Sequence, residues 1–353
     1  MQSLNNIRIG YSPCDNSFNS PGDKRRFIAY ANSRDLEFEI ANPSKKYDLV
    51  ILTELSDISI WHKYQDGKIV YDLIDSYLAI PERDIKSTFR GLAGFIKGRY
   101  KELIINHKSA IVRMCRRSDL VICSTLEQQK MIMNYCPKVH IILDIHNSVV
   151  KNSEFKNESN RAFQLVWEGL PSNITHLKYM SEILNELNKK NPVILNVITD
   201  QKYPRYFSFL GSKDIKRELK SISKYIVFHP FNYKTWSKIV SNSDLAVIPI
   251  DLLDPFAKGK PENKLLLFWR MGIPVITSGS PAYIRAQNKA HPNYKLTCNS
   301  KDEWLNTINQ MIVNESLRKK IGLLGKMYAE ENFDDESIFM KWDKAFYELG
   351  FKI

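Results

Sequence analysis

A dense group of charged and amide side chains lies between two strongly apolar runs in the second half of the chain. Its members are Asp251, Asp254, Lys258, Lys260, Glu262, Asn263 and Lys264. Asn263 or Glu262 begins a predicted helix that stops before Gly272, and the first N–H groups of a helix attract anions. Lysines at that end would add charge-assisted contacts to a diphosphate, whereas a carboxylate suits the hydroxyl groups of a sugar. The alternative is a capped surface helix with solvated charges.

The elements around this group are predicted to belong to parallel sheets. Short apolar runs alternate with helical patterns along the whole chain, which is typical of α/β sheets covered on both faces. The predicted strands are Ile7–Gly10, Leu36–Ile40, Asp48–Thr53, Lys68–Leu73, Leu120–Ser124, Val139–Ile142, Phe163–Trp167, Pro192–Thr199, Tyr225–His229, Leu245–Ile250 and Pro274–Thr277.

Two successive series of such units predict two Rossmann-like, doubly wound α/β domains. We expect an N-terminal domain at residues 1–150, a C-terminal domain at residues 151–330, and a final helix at residues 331–353 that packs back on the N-terminal domain. The polar stretch Val149–Arg161 is the predicted linker. Ligands of such sheets bind outside the carboxyl ends of the strands, so the charged group after Leu245–Ile250 is predicted to line a pocket.

Several pieces of the second half resemble GT-B glycosyltransferases related to family four. They are Asn263-Lys264-Leu265-Leu266, Gly272-Ile273-Pro274-Val275-Ile276, Ser278-Gly279-Ser280-Pro281-Ala282-Tyr283 and Val166-Trp167-Glu168-Gly169. The resemblance implies a GT-B fold, in which two Rossmann-like domains face a cleft. It also implies transfer of a sugar from a nucleotide-sugar donor to a saccharide or lipid-linked acceptor in surface polysaccharide or glycoconjugate biosynthesis. The same resemblance implies that the reaction retains anomeric configuration and that it needs neither a metal ion nor another cofactor.

The resemblance assigns the donor to the C-terminal domain. The predicted donor-binding residues are Gly169, Ser172, Asn173, Lys258, Lys260, Asn263, Lys264 and Leu265, and Glu262 is a predicted catalytic residue. Members of the family often carry two carboxylates spaced eight residues apart around this helix. The corresponding positions here are Gly259 and Leu267, so Glu262 or Glu168 is at most a partial substitute for that pair.

The acceptor side is assigned to the N-terminal domain. In the loop after the first strand, the predicted acceptor-side residues are Gly22, Asp23, Lys24 and Arg25, with Arg26 as a further cation for an anionic ligand. A solvated basic turn is the alternative. Asp72 or Asp75 would emerge at the end of the strand Lys68–Leu73, and Asp75 is the second predicted catalytic residue, since a carboxylate there can accept the proton of an acceptor hydroxyl. A capping or turn role is the alternative for Asp75.

Residues 82–117 are strongly basic. They hold ten Lys or Arg (Arg83, Lys86, Arg90, Lys97, Arg99, Lys101, Lys108, Arg113, Arg116, Arg117) against three acids (Glu82, Asp84, Glu102), a balance of +7 within a chain of net charge +12. Interleaved apolar residues give the stretch an amphipathic pattern that suits peripheral contact with an anionic membrane. A core-facing apolar stripe under a solvated basic face is the alternative.

The composition of the chain narrows the classes of protein to which it could belong. Hydrophobic residues make up 43% and charged residues 25% of the chain, as in ordinary globular proteins. The five scattered cysteines and seven histidines lack metal-binding spacing, and no nucleic-acid-binding signature is present. We expect a cytoplasmic protein with a peripheral contact at the inner face of the membrane. The alternative functions are a non-catalytic GT-B-like protein that binds a sugar or nucleotide, and a GT-B-fold nucleotide-sugar epimerase.

Overall fold

The computed structural model describes residues 1–81, 85–146, 161–204 and 212–353, which form two compact units. Unit 1 contains Met1–Ile145, Asp254–Pro261 and Phe333–Ile353, and unit 2 contains His146–Leu253 and Glu262–Asn332. Unit 1 is therefore assembled from three separate stretches of chain. Residues 149–160 of the predicted linker lie outside the described residues.

Unit 1 is built on a sheet of six parallel strands. In spatial order they are Glu39–Ile40, Ile9–Ser12, Leu49–Thr53, Lys68–Asp72, Leu120–Cys123 and Val139–Ile141. The central strand Leu49–Thr53 is buried along its whole length, because a parallel sheet of this kind is covered on both faces. A separate parallel pair joins Gln2–Ser3 to Phe351–Lys352.

The helices of unit 1 come from all three of its stretches. They are Pro21–Lys24, Phe27–Ser33, Ile58–Trp61, Ile85–Ile96, His107–Arg117, Leu126–Ile132, Pro255–Lys258 and Asp335–Glu348, with 3-10 turns at Leu4–Asn6 and Tyr77–Ala79. The helix Asp335–Glu348 packs on Tyr30, whose ring centroid lies 5.6 Å from that of Trp342 and 5.4 Å from that of Phe346. These aromatic contacts attach the last stretch of the chain to the first.

Unit 2 is built on a second sheet of six parallel strands. In spatial order they are Ile226–Pro230, Val193–Thr199, Phe163–Glu168, Leu245–Ile248, Val275–Ser278 and Thr297–Cys298. The strands Lys202–Pro204 and Ser212–Asp214 form an antiparallel pair apart from this sheet. The helices are Met180–Leu187, Ile215–Ile222, Tyr233–Ser241, Asn263–Arg270, Pro281–Ala290, Lys301–Val313 and Glu315–Asn332, with a 3-10 helix at Pro171–Tyr179.

The two parallel six-stranded sheets confirm the predicted fold class of two Rossmann-like α/β domains. In both units the strand order is not the chain order, which requires crossover connections of the doubly wound type. Among the described helices, none is both long enough and apolar enough to cross a bilayer.

Candidate functional site

In unit 2, the side chain of Lys264 lies beside the end of the strand Phe163–Glu168. Its Nζ is 4.9 Å from the centroid of the Trp167 ring. A Cβ atom at Gly169 would lie 2.7 Å from the same Nζ, so a glycine is needed for the ammonium group to occupy this position. Lys264 is also the second residue of the helix Asn263–Arg270, and the first N–H groups of a helix have no partner within it. The structure therefore brings together Gly169 and Lys264, which the sequence assigned to one donor site.

Two glutamates adjoin this lysine and glycine. Burial raises the pKa of the Tyr283 phenol, and the negative charges of Glu262 and Glu168 raise that pKa further. Glu168 directly precedes Gly169 in the chain, and Glu262 lies two residues before Lys264. We call the group formed by Trp167, Glu168, Gly169, Glu262, Lys264 and Tyr283 the Lys264 site. It offers one ammonium group for an anion and two carboxylates for hydroxyl groups.

The other predicted donor-binding residues have mixed environments. Ser172 is exposed and Asn173 is half-buried in the 3-10 helix that follows Gly169, and Asn263 is half-buried at the start of its helix. Leu265 is fully buried, so its side chain belongs to the core of unit 2. Those four residues belong to unit 2, whereas the predicted donor-binding lysines Lys258 and Lys260 belong to the Asp254–Pro261 stretch of unit 1.

In unit 1, Asp75 lies next to a second carboxylate that the sequence prediction missed. The backbone N–H of Asp75 donates a hydrogen bond of 2.9 Å to Oε2 of Glu54. Glu54 directly follows the strand Leu49–Thr53, and Asp75 lies shortly after its neighbour Lys68–Asp72. The signal that singled out Asp75, an acid after a buried strand, was equally present at Glu54.

The charges around these carboxylates are mixed. Burial raises the pKa of Glu54 to about 8, and the charge of Asp75 adds to this rise while Arg99 opposes it. Burial also raises the pKa of Asp75, against the opposing charges of Lys260 and Arg90. We call Glu54, Asp75, Arg90, Arg99 and Lys260 the Asp75 site. It can hold a proton on one carboxylate while the neighbouring cations favour the ionised form of the other.

The stretch Asp254–Pro261 reaches the Asp75 site through specific contacts within unit 1. The Ser76 hydroxyl donates a 2.7 Å hydrogen bond to the carbonyl oxygen of Gly259. The ring of Phe256 lies 5.2 Å from that of Tyr77, and the Arg90 guanidinium lies 5.1 Å from the centre of the Phe256 ring. These contacts fix the backbone that precedes Lys260. Burial lowers the pKa of Lys260, and the charges of Asp75 and Asp254 oppose that change.

The same contacts explain why one carboxylate of the pair expected from the resemblance is missing. A Cβ atom at Gly259 would overlap the hydroxyl of Ser76, so this backbone excludes any larger side chain. Leu267, at the position of the other carboxylate, is 3% exposed among the core residues of unit 2. An acid at either position would therefore require repacking or the burial of an uncompensated charge.

Of the four acceptor-side residues, Asp23 has the best defined contacts. Its carboxylate accepts hydrogen bonds from the Tyr11 hydroxyl at 2.6 Å, from the Cys14 N–H at 2.8 Å and from the Asp15 N–H at 3.1 Å. The residue is fully buried. These contacts hold the loop that follows the first strand. Lys24 is exposed, while Gly22 and Arg25 are half-buried.

The prediction that Arg26 meets an anionic ligand is wrong. Its side chain is buried, and its guanidinium forms ion pairs with Asp72 at 2.6 Å and with Asp144 at 2.9 Å. Asp72 is also buried, so it does not emerge at the edge of the sheet as Asp75 does. A buried arginine requires such partners because an unpaired charge away from water is costly. Arg26 and Asp72 thus support the strand that leads to the Asp75 site.

Within the described residues, no three His, Cys, Asp or Glu side chains are grouped so that they could hold a metal ion. All five cysteines are free thiols.

The fold is shared with crystal structures of several glycosyltransferases. Anabaena HepE in complex with UDP-glucose aligns with 98% of this chain and 99% of its own, with a TM-score of 0.62 and 12% identity. Sucrose-phosphate synthase from Thermosynechococcus elongatus aligns with 92% of this chain and 76% of its own, with a TM-score of 0.60 and 9% identity. TarM aligns with 84% of this chain, with a TM-score of 0.58 and 11% identity, and this chain spans only 54% of the TarM chain.

These likenesses identify the GT-B fold, the class that the two parallel sheets define. No protein-family model matches the sequence, and no curated protein sequence matches it.

Proposed function

We propose that the chain is a glycosyltransferase related to family four that transfers a sugar, of the hexosyl type, from a nucleotide-sugar donor to a saccharide or lipid-linked acceptor. The observation that carries this proposal is the close approach of Lys264 to Gly169 at the carboxyl end of a central strand of unit 2. An ammonium group, a helix N-terminus and a glycine backbone converge there, as a diphosphate would require.

In the proposed reaction, Lys264 and the first N–H groups of its helix stabilise the charge of the leaving diphosphate. Gly169, Ser172, Asn173 and Asn263 contribute further donor contacts. Glu262 and Glu168 accept hydrogen bonds from hydroxyl groups of the donor. The proposal includes retention of anomeric configuration and assigns no step to a metal ion or cofactor.

The acceptor side of the proposal lies in unit 1. Asp75 accepts the proton of an acceptor hydroxyl, since the neighbouring Lys260 and Arg90 favour its ionised form. Burial and the charge of Asp75 raise the pKa of Glu54, which favours its protonated form, so that it can donate a hydrogen bond to an acceptor oxygen. Lys24 and Arg25 supply cations for an anionic acceptor.

The ligands of the structural relatives support this choice of substrates. HepE was crystallised with UDP, with UDP and glucose, and with UDP-glucose. A TarM variant was crystallised with UDP and alpha-GlcNAc-glycerol. The proposal for this chain places the reaction in surface polysaccharide or glycoconjugate biosynthesis in the cytoplasm. If the acceptor is lipid-linked, the basic residues 82–117 make a peripheral contact with the anionic inner face of the membrane.

The proposal is tested by calorimetric titration with UDP-, GDP- and ADP-sugars, followed by assays of sugar transfer to saccharide and polyprenyl-phosphate-linked acceptors. We expect binding of one nucleotide class and turnover with one acceptor class. Asp75→Asn should abolish most turnover while leaving donor affinity unchanged, and Asp66→Asn, an exposed acid of the same unit, is the matched control. Absence of binding to every nucleotide sugar would refute the proposal.

One observation favours a second candidate, a non-catalytic GT-B-like protein that binds a nucleotide sugar. Neither Gly259 nor Leu267 supplies the carboxylate that the resemblance leads one to expect. This candidate predicts donor binding without turnover on any acceptor. A nucleotide-sugar epimerase is distinguished by the same assays, because it would return an altered sugar on the nucleotide without an acceptor.

A further inference from the structure

The helix Ile85–Ile96 packs against the rest of unit 1 through its small residues, and it exposes its large apolar residues. A Cβ atom at Gly91 would overlap the backbone carbonyl of Ile104, and one at Gly94 would overlap the ring of Tyr100. The opposite side of the helix carries Phe89, Leu92, Phe95 and Ile96, and all four are exposed. An amphipathic helix of a globular protein normally directs its large apolar residues to the core. This helix has the reverse orientation.

The segment after the helix also exposes large apolar side chains. The carbonyl of Ile104 contacts Gly91 on the glycine side of the helix, and the neighbouring Leu103 and Ile105 are 53% and 75% exposed. We call Phe89, Leu92, Phe95 and Ile96 the Phe95 surface. Six large apolar side chains exposed within 17 consecutive positions exceed the scattered exposure that is normal for a soluble protein.

The chain around the Phe95 surface is basic. Residues 85–106 contain five Lys or Arg (Lys86, Arg90, Lys97, Arg99 and Lys101) and one acid, Glu102. Arg99 is engaged with the carbonyls of Glu54 and Leu55, and Glu102 pairs with Lys63. Lys97 and Lys101 are exposed beside Ile96 and Leu103. The apolar surface is thus flanked by lysines that can meet negative charge.

We propose that the Phe95 surface is a membrane-docking face that inserts into the headgroup and acyl boundary of an anionic lipid bilayer, with Lys97 and Lys101 at the lipid phosphates. The inference deepens the membrane contact proposed for residues 82–117 and does not depend on the sugar-transfer reaction. Large apolar side chains on one side of a helix, flanked by lysines, are the features by which interfacial helices bind anionic membranes. The glycine side of the helix holds it against unit 1 and directs the apolar side outward.

The test is flotation of the full-length protein with vesicles of phosphatidylcholine containing about 30% phosphatidylglycerol, compared with pure phosphatidylcholine. We expect binding to the anionic vesicles that weakens with added salt. Phe95→Ser/Ile96→Ser should lower the partition coefficient by about tenfold or more, because two large side chains no longer leave water. Lys97→Gln/Lys101→Gln should lower it by about fivefold per lysine.

Matched controls carry the same changes on other exposed positions. Val313→Ser/Leu323→Ser removes two exposed apolar side chains of unit 2, and Lys216→Gln/Lys220→Gln removes two of its exposed lysines. Both controls should retain wild-type binding. Thermal melting verifies that every variant is folded, and nucleotide-sugar affinity, which the Phe95 surface should not affect, separates this inference from the proposed reaction.

Three outcomes would overturn the inference. The first is wild-type protein that does not float with anionic vesicles at low salt, and the second is a Phe95→Ser/Ile96→Ser variant that floats as well as the wild type. The third is light scattering that shows a dimer converted to a monomer by Phe95→Ser/Ile96→Ser, which would assign the surface to a second copy of the chain instead of to lipid.

Discussion

The Lys264 site and the Asp75 site both lie at the carboxyl ends of parallel strands, but the chain builds them differently. The Lys264 site joins residues of one unit, with Lys264 beside the Trp167 ring and beside Gly169. The Asp75 site combines Glu54 and Asp75 with Lys260 from a distant stretch that belongs to the same unit. The Lys264 site contains a cation beside an aromatic ring. The Asp75 site is a group of carboxylates and cations whose carboxylates are partly removed from water.

This difference has chemical consequences. A cation over an aromatic ring keeps its charge and its position, which suits the binding of a diphosphate. Desolvation raises the pKa values of the half-buried Glu54 and Asp75, and the charge of Asp75 adds to the rise at Glu54, which suits the handling of a proton near neutral pH. We therefore propose anion binding for unit 2 and proton handling for unit 1.

The largest effect is expected from Arg26→Met, which removes the partner of two carboxylates beneath the Asp75 site. Asp72 would remain buried without its cation, so the free energy of unfolding should fall by about 3 to 5 kcal/mol. Urea denaturation measures the change. Arg25→Met, a change at the half-buried neighbouring residue, is the control and should cost less than about 1 kcal/mol. A loss below about 1 kcal/mol for Arg26→Met would contradict the view that buried ion pairs support unit 1.

Lys264→Ala tests the assignment of anion binding to unit 2. Donor affinity should weaken by about 1.5 to 3 kcal/mol, because a charge-assisted contact to phosphate is lost. Calorimetric titration with the nucleotide sugar measures the loss. Lys258→Ala is the matched control, since Lys258 is exposed and belongs to unit 1. If the two substitutions weaken the donor equally, the comparison fails and the earlier grouping of these lysines in one site is supported.

Gly259→Ala tests the contact that holds the stretch Asp254–Pro261 in unit 1. The new methyl group would overlap the Ser76 side chain, and such overpacking costs about 1 to 3 kcal/mol of unfolding free energy. Adding Ser76→Gly should recover part of that loss, because it removes the atoms that collide. A double-mutant cycle by thermal denaturation measures the coupling, and a coupling near zero would show that Gly259 is tolerant of a side chain.

The last prediction concerns the pH dependence of stability. Burial and Asp75 raise the pKa of Glu54 to about 8 from its ordinary value of 4.5, so the folded protein retains a proton that the unfolded chain releases. Its contribution to stability is therefore present below about pH 4.5 and is lost as the pH rises to about 8. Glu54→Gln should flatten this decline in urea midpoints measured from pH 5 to pH 8.

The control for that experiment is Glu102→Gln. Glu102 has a pKa lowered by its hydrogen bond with Lys63, so it titrates below this window and its substitution should leave the slope unchanged. A Glu54→Gln variant whose midpoint depends on pH between pH 5 and pH 8 in the same way as that of the wild type would contradict the raised pKa of Glu54, and with it the proposal of proton handling in unit 1.

Much of the sheet architecture could be predicted because it depends on local pattern. Buried strands such as Leu49–Thr53 and Leu245–Ile248 appear as short apolar runs, and they were predicted within about two residues of their observed bounds. Gly169 and Lys264 were grouped through the resemblance to GT-B glycosyltransferases, and the structure brings the two residues side by side in unit 2.

The remaining part depends on contacts between residues far apart in sequence. Nothing in the pattern around Lys260 indicates that it belongs to the unit of Asp75, since that placement follows from the contacts of Phe256 with Tyr77 and of Gly259 with Ser76. Arg26 was misread for the same reason, because only the folded chain brings Asp72 and Asp144 to its guanidinium. Periodicity reports which residues are buried but not their partners.

The three-part construction of unit 1 has a consequence for biosynthesis. Residues of the first stretch leave the ribosome early, but Tyr30 acquires its packing partners Trp342 and Phe346 only when the last stretch has been translated. Asp75 likewise acquires Lys260 only after most of unit 2 has been made. Unit 1 is therefore the first unit to be started and the last to be completed. Until its final helix has been translated, its sheet remains incompletely packed.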